Sequence, residues 1–219
     1  MLQQSTLEFL KKLKKNNNKD WFDKHKAGYE AAKKDLTAFI EKVIAAIGSF
    51  DPSVKHLEPK DCMFRIYRDV RFSKDKTPYK SHLGAYISGR GKKSHGPGYY
   101  IHIQPDNSFL AGGLWVPPTP DLNKVRQEID YNLEEFGSIL KEKSFKKYFK
   151  SLDQGEKLKT LPKGYDKDHP GIELLKLKSF TVTYHVDDKA VTSKDFVKHA
   201  TGVFKSMKPL HDFLDRALD

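Results

Sequence analysis

The spacing of apolar residues changes along this chain, from three-to-four at both ends to strict alternation in the middle, and that change limits the fold more than any other feature. Three central segments read as strands: 83–89 (LGAYISG), 98–104 (GYYIHIQ) and 108–115 (SFLAGGLW). Pro105, Asp106 and Asn107 supply a turn, so the last two form a hairpin. Gly112 and Gly113 inside a strand predict a bulge or a close backbone approach. Residues 62–72 also alternate, with Phe64, Ile66, Val70 and Phe72 on one side and Arg65, Tyr67, Asp69 and Arg71 on the other. An unbroken strand there sets Arg68 on the apolar face, where it needs a buried partner. FTVTYHV (180–186), β-branched and aromatic, is expected to be the last strand.

The ends read as helices. Ser5 and Glu8 have the spacing of a capping box, followed by Leu7, Leu10 and Leu13 on one face. Asn16, Asn17 and Asn18 stop that helix. A long helix is predicted over about 19–47, from Phe22 to Ile47, ended by Gly48 and Pro52. Thr119-Pro120 is read as a cap and first turn, with Leu122, Val125 and Ile129 inward. Short helices are expected at 133–141 and 144–152, a surface loop at 153–171, and a short helix from Asp168-His169-Pro170 through Leu175. The last helix, about 193–217, carries Phe196 through Leu214 and a kink at Pro209. Helices thus flank strands that are joined without crossover helices. The expected class is α+β: a central, mostly antiparallel sheet between N-terminal and C-terminal helices, in one domain over residues 1–219.

A chain of 219 residues buries roughly 70% of its unfolded surface, so no metal or disulfide is required for folding. No apolar run approaches the ~18–20 residues that span a bilayer, and the N-terminus carries no export signal, so no membrane association is expected. The one cysteine, Cys62, has no internal partner, which fits a reducing cytoplasm. The net charge is +11, which favours anionic partners without specifying one. Dispersed lysines read as solubilising surface. Arginine is scarce, and Arg65, Arg68 and Arg71 fall close together.

That cluster lies in FRIYRDVRFSKDKTPYKSH (64–82), which carries three Arg, three Lys, two Asp, two Tyr and one His. Its apolar anchors mark folded chain with fixed charges. Ser73 to Pro78 adds hydroxyls, ammoniums and a rigid turn, the parts of an anion site. The candidate ligand-binding residues are Arg65, Tyr67, Arg71, Lys74, Lys76, Tyr79, Lys80, His82 and His102. The competing reading is an ion-pair network, Arg65 and Arg68 with Asp69, or Arg71 with Asp75. His102 shares its strand face with Tyr100 and Gln104. Pairing near 64–72 would bring it to Arg65 or Tyr67, as an acid or base or as an orienting group.

Other motifs exclude more than they assign. His82, His95 and His102 lack metal-ligand spacing, so no metal and no cofactor are expected. SGRGKKSHGPG (88–98) lacks the order of a P-loop and reads as a hairpin tip. Trp21 and Phe22 read as core anchors. Cys62 has no adjacent base, and no Gly-x-Ser-x-Gly elbow is present.

The strings NNNKDWF (16–22), RIYRDVRFSKDKTPYKSH (65–82), GYY (98–100), the GGLW-P run (112–117) and LPKGYDKDHP (161–170) resemble the domain of unknown function 2461 family, small proteins of bacteria and fungi. The likeness spans most of the chain. It implies a single intracellular domain and brings no activity or catalytic residue with it. Three functions therefore compete. The first is binding, or turnover, of a small phosphorylated or carboxylated ligand at 64–82. The second is a structural or interaction role. The third, not favoured because no nucleic-acid motif is present, is nucleic-acid binding through the basic surface.

Overall fold

The computed structural model describes residues 1–93 and 95–219. Four strands make one antiparallel sheet in the order β1 (Leu83–Ile87), β2 (Gly98–Ile103), β3 (Ser108–Leu114), β4 (Phe180–Val186). Before the sheet come α1 (Gln4–Lys15), α2 (Lys19–Lys24), α3 (Lys26–Ile47) and α4 (Pro59–Cys62). Between β3 and β4 lie α5 (Thr119–Tyr131), α6 (Leu133–Lys141), α7 (Lys143–Lys146) and α8 (Ile172–Leu175). After β4 come α9 (Asp188–Thr192) and α10 (Phe196–Leu218). The protein is α+β, as the pattern of periods predicts.

Alternation gives the sheet two different faces. Leu83, Ala85, Ile87, Tyr99, Ile101, Ile103 and Leu110 are buried on one face. There α10 lies along β3, with the Tyr99 ring edge-on to Phe204 at 5.3 Å. Phe39 of α3 stacks on Phe196 of α10 at 5.0 Å, which locks the two long helices together. Each such fully buried Leu, Ile or Phe contributes about 1.5–3 kcal/mol. The other face, bearing Tyr86, Tyr100, Phe109, Ala111, Thr181 and Thr183, is half-exposed. A close approach explains the paired glycines. Gly113 has φ +111°, and a Cβ there would sit 2.1 Å from the Phe180 carbonyl oxygen.

Several local expectations give way. The long helix breaks at His25 (φ −111°, ψ 19°), whose ring stacks on Trp21 at 4.0 Å and whose Nδ1 bonds the Trp21 carbonyl. Ser5 does not cap α1. The Asp35 carboxylate does that work from α3, accepting from Gln3 N and Thr6 Oγ1. Thr119 is already helical, and the helix predicted at 144–152 shrinks to α7.

The largest departure is residues 62–72, which form no strand of the sheet. Phe64 N donates to Gly84 O beside β1, but the chain then reverses on itself. Lys80 N bonds Ile66 O, Tyr67 bridges Tyr79, and Arg68 N bonds Pro78 O, which makes a short two-armed projection with its tip near Phe72. Pro78 has no N–H to return, so the ladder stops there. Ile66 is buried, whereas Phe72 is 96% exposed.

Candidate functional site

The projection is held to the body by side chains of the α1–α2 junction. Asn17 imitates a neighbouring strand: its Nδ2 donates to Tyr79 O at 2.8 Å, and its Oδ1 accepts from Tyr79 N at 3.1 Å. The buried Phe22 ring stacks on Tyr79 at 4.0 Å and lies 6.1 Å from Tyr67. The tip engages all its charged side chains but Lys74 internally. Arg68, with 24% of its side chain exposed, donates to Asp75, to Ser73 Oγ and to both the carbonyl and hydroxyl oxygens of Thr77. Asp75 also accepts from Thr77 N and Oγ1, and these bonds with Arg68 hold its carboxyl below the usual range. Arg71 forks onto Asp69 at 2.7 and 3.0 Å, and Lys76 Nζ donates to Val70 O.

These pairings correct the sequence-based assignment of partners. Arg68 joins Asp75 and Arg71 joins Asp69, because the reversal folds residues 73–77 back over Arg68. Arg65 forms no ion pair with any described residue. Of the nine candidates, Arg71 and Lys76 are engaged within the tip, Lys74 is exposed there, and Tyr79 is buried against Phe22. Tyr67 is exposed beside Tyr79.

The remaining four, Arg65, Lys80, His82 and His102, form a row of neighbours from the projection to the open face of the sheet: the Arg65 charge acts on Lys80, and Lys80 and His102 both act on His82. His82 and His102 approach at 4.2 Å between ring centroids. His102 is not opposite Arg65 or Tyr67, since β2 pairs with β1 and β3. Its Nε2–H donates to Gln104 Oε1 at 2.9 Å and its Nδ1 accepts from the Tyr100 hydroxyl at 3.1 Å, while its ring stacks on Phe109 at 4.5 Å. Burial lowers its pKa, and the bond to Gln104 opposes that. Burial, His102 and Lys80 together push His82 down to about 4, so both imidazoles are neutral near pH 7.

Phe64 joins this group from the first arm. Its ring lies 6.3 Å from Tyr100, and two ammoniums flank it, Lys80 at 5.5 Å and Lys92 at 5.7 Å. Lys92 comes from the β1–β2 connection, where its Nζ also donates to Met63 O. Burial and the neighbouring Arg65 charge lower the Lys80 pKa, with no carboxylate offsetting them. Among the described residues no acid forms an ion pair with Arg65, Lys80 or Lys92. Lys92, Phe64 and Tyr100 thus join the candidate site, where sequence reasoning did not place them. For Lys92 the signal was the basic run at 90–93, read as a hairpin tip, while Phe64 was read as an apolar anchor and Tyr100 as a neighbour of His102.

Such a platform can hold an anion between cations and lay an attached ring or chain on Phe64, Tyr100 and Phe109. Nucleophilic chemistry from Cys62 is not supported. The thiol is buried, and its pKa is pushed up to about 11. Among the described residues no group of three or more His, Cys, Asp or Glu is arranged to hold a metal ion, and no helix is long and apolar enough to cross a membrane.

No curated protein and no solved structure matches the chain. A family model does, over residues 5–213, described as a conserved hypothetical protein (DUF2461). That span takes in the α1–α2 junction, the projection and all four strands, and the chain belongs to the domain of unknown function 2461 family.

Proposed function

We propose that this protein binds a small phosphorylated or carboxylated ligand at the edge of the open sheet face, with Arg65, Lys80 and Lys92 around the anion. The observation that carries the reading is that Lys80 and Lys92 both lie against the Phe64 ring, that Arg65 and burial lower the Lys80 pKa, and that no acid among the described residues forms an ion pair with any of the three. Self-repelling charge held in a fixed place is relieved by a bound anion. The neutral His82 and the Tyr100–His102–Gln104 chain supply hydrogen bonds without adding charge. Thermal unfolding with pyrophosphate, citrate, a nucleotide and a short oligonucleotide, at low and moderate salt, tests this. A specific ligand at about 100 times its Kd adds about 2.7 kcal/mol, which raises the midpoint by roughly 5–10 °C. The shift should disappear in Arg65→Ala and Lys80→Ala and persist in Arg71→Ala. An unchanged shift in Arg65→Ala refutes the assignment, and a shift from the oligonucleotide alone, erased by salt, points to nucleic acid on the lysine surface.

One observation favours a second reading, an interaction role. Phe72 stands 96% exposed beside Arg71 on a tip cross-linked by Arg68, Arg71 and Lys76, a presentation that the anion reading does not use. Association that sedimentation detects for the native chain and not for Phe72→Ser would support it.

A further inference from the structure

The open face of the sheet changes in chemistry from one edge to the other. At the β1 edge Lys80 and Lys92 flank the Phe64 ring. Rings fill the middle: Tyr100 lies 6.3 Å from Phe64 and 5.7 Å from Phe109, and Phe109 lies 5.9 Å from His185. At the β4 edge comes a carboxylate, Asp153, from the segment between α7 and α8. Its Oδ2 accepts from the hydroxyls of Thr181 and Thr183, each at 2.9 Å, and its backbone N–H donates to Thr181 O at 2.8 Å. These bonds fix Asp153 on the open side, because Thr181 and Thr183 alternate along β4 with the buried Phe180 and Val182. Among the described residues no donor reaches Asp153 Oδ1 and no cation pairs with the carboxylate.

Between the rings and the carboxylate the surface dips. Ala111 sits opposite Tyr100 of β2 on one side and Thr183 of β4 on the other, and it stays half-exposed. Tyr100 reaches the other way. A Cβ on Gly84 would come within 3.0 Å of the Tyr100 hydroxyl, so that side chain extends over β1. The dip over Ala111 is therefore bounded by aromatic rings and, at its far end, by an acceptor. An alkyl chain would leave that acceptor unused, whereas a flat heterocycle uses both its face and its edge.

Cations, rings and an acceptor follow one another across the face in the order that phosphate, base and amino group follow in a nucleotide. We infer, resting on the anion reading above, that the ligand is a nucleotide: its phosphates lie among Arg65, Lys80 and Lys92, and its base lies over Ala111 against Tyr100 and Phe109, with an exocyclic amino group donating to Asp153 Oδ1. An ionised carboxylate only accepts. Adenine or cytosine, which present an amine, therefore suit it, and hypoxanthine or uracil, which present a carbonyl oxygen there, do not.

Calorimetric titration of the full chain with pyrophosphate, ADP and IDP tests this assignment. ADP should bind at least about tenfold more tightly than pyrophosphate, with IDP between them. Phe109→Leu, at a half-exposed position, should narrow the ratio of ADP to pyrophosphate affinity, and Asp153→Asn should close the gap between ADP and IDP. Arg65→Ala should weaken both ADP and pyrophosphate. Should either of the first two variants fail to fold, the three ligands on the native chain decide alone. Pyrophosphate binding with ADP no tighter overturns the nucleotide and leaves the anion site standing, whereas no binding of either defeats both. An ADP advantage untouched by Phe109→Leu, or a preference over IDP untouched by Asp153→Asn, also overturns it. A short oligoadenylate that binds more tightly than ADP overturns it in favour of a nucleic-acid strand.

Discussion

Arg68 shows how much one side chain can organise. Its guanidinium gathers Asp75, Ser73 and Thr77 around itself and so shapes the tip of the projection. Arg68→Ala leaves those acceptors without their donor and should cost about 1–3 kcal/mol in urea unfolding. Arg71→Ala, at an exposed pair, should leave the midpoint where it was. The histidines set a pH dependence. His82 (about 4) and His211 (about 3) lie below the ordinary 6.5, so both are neutral in the folded protein and charge on unfolding below that value. Their contribution is complete above pH 6.5 and is lost as pH falls, through about 4 for His82 and 3 for His211. Near pH 5, unfolding should therefore take up about two protons from these groups, read as the slope of stability against pH. His82→Gln should flatten that slope, and an unchanged slope would contradict the assigned environment. The residue types of this region were legible in the sequence, but their partners were not. Arg68 meets Asp75 only because the chain reverses between them, and no local spacing encodes that.

At the scale of elements, legibility followed the strength of the local signal. Strands β1 to β4 showed alternation and β-branched or aromatic residues, and the Pro105–Asn107 turn announced the hairpin. The region 62–72 carried the same alternation for a different reason. Ile66 anchors the projection while Phe64 and Phe72 face outward, so a period of two arose without a sheet. The break at His25 had no Gly or Pro to mark it, since the interruption comes from a ring stacked on Trp21. The glycine pair was readable as a close approach, and its partners are now specific. Gly113→Ala combines a positive φ with collision against the Phe180 carbonyl. It should destabilise by about 2–4 kcal/mol and expose the β3–β4 amides to hydrogen exchange before the rest of the sheet.

For the whole molecule, the central fact is a sheet covered by helices on one face and half-open on the other. The β1–β2 connection serves both sides: Lys92 reaches the Phe64 ring, and Arg90 reaches the end of α10. The candidate platform was not visible as a unit in the sequence, because Phe64, Lys80, Lys92 and Tyr100 come from separate segments of the chain. The net charge of +11 gave no guidance either, since it does not tell the dispersed lysines from Lys80 and Lys92, which meet the Phe64 ring, or from Arg65, whose charge acts on Lys80. The claim that these three form an anion site is tested most directly at Lys80 itself, by titrating the ¹³C-labelled lysine side chains by NMR with and without pyrophosphate. The account predicts a Lys80 pKa below the ordinary 10.5 that rises when pyrophosphate saturates the site, while the Lys74 resonance stays still. A Lys80 resonance that titrates identically with and without the anion would contradict it.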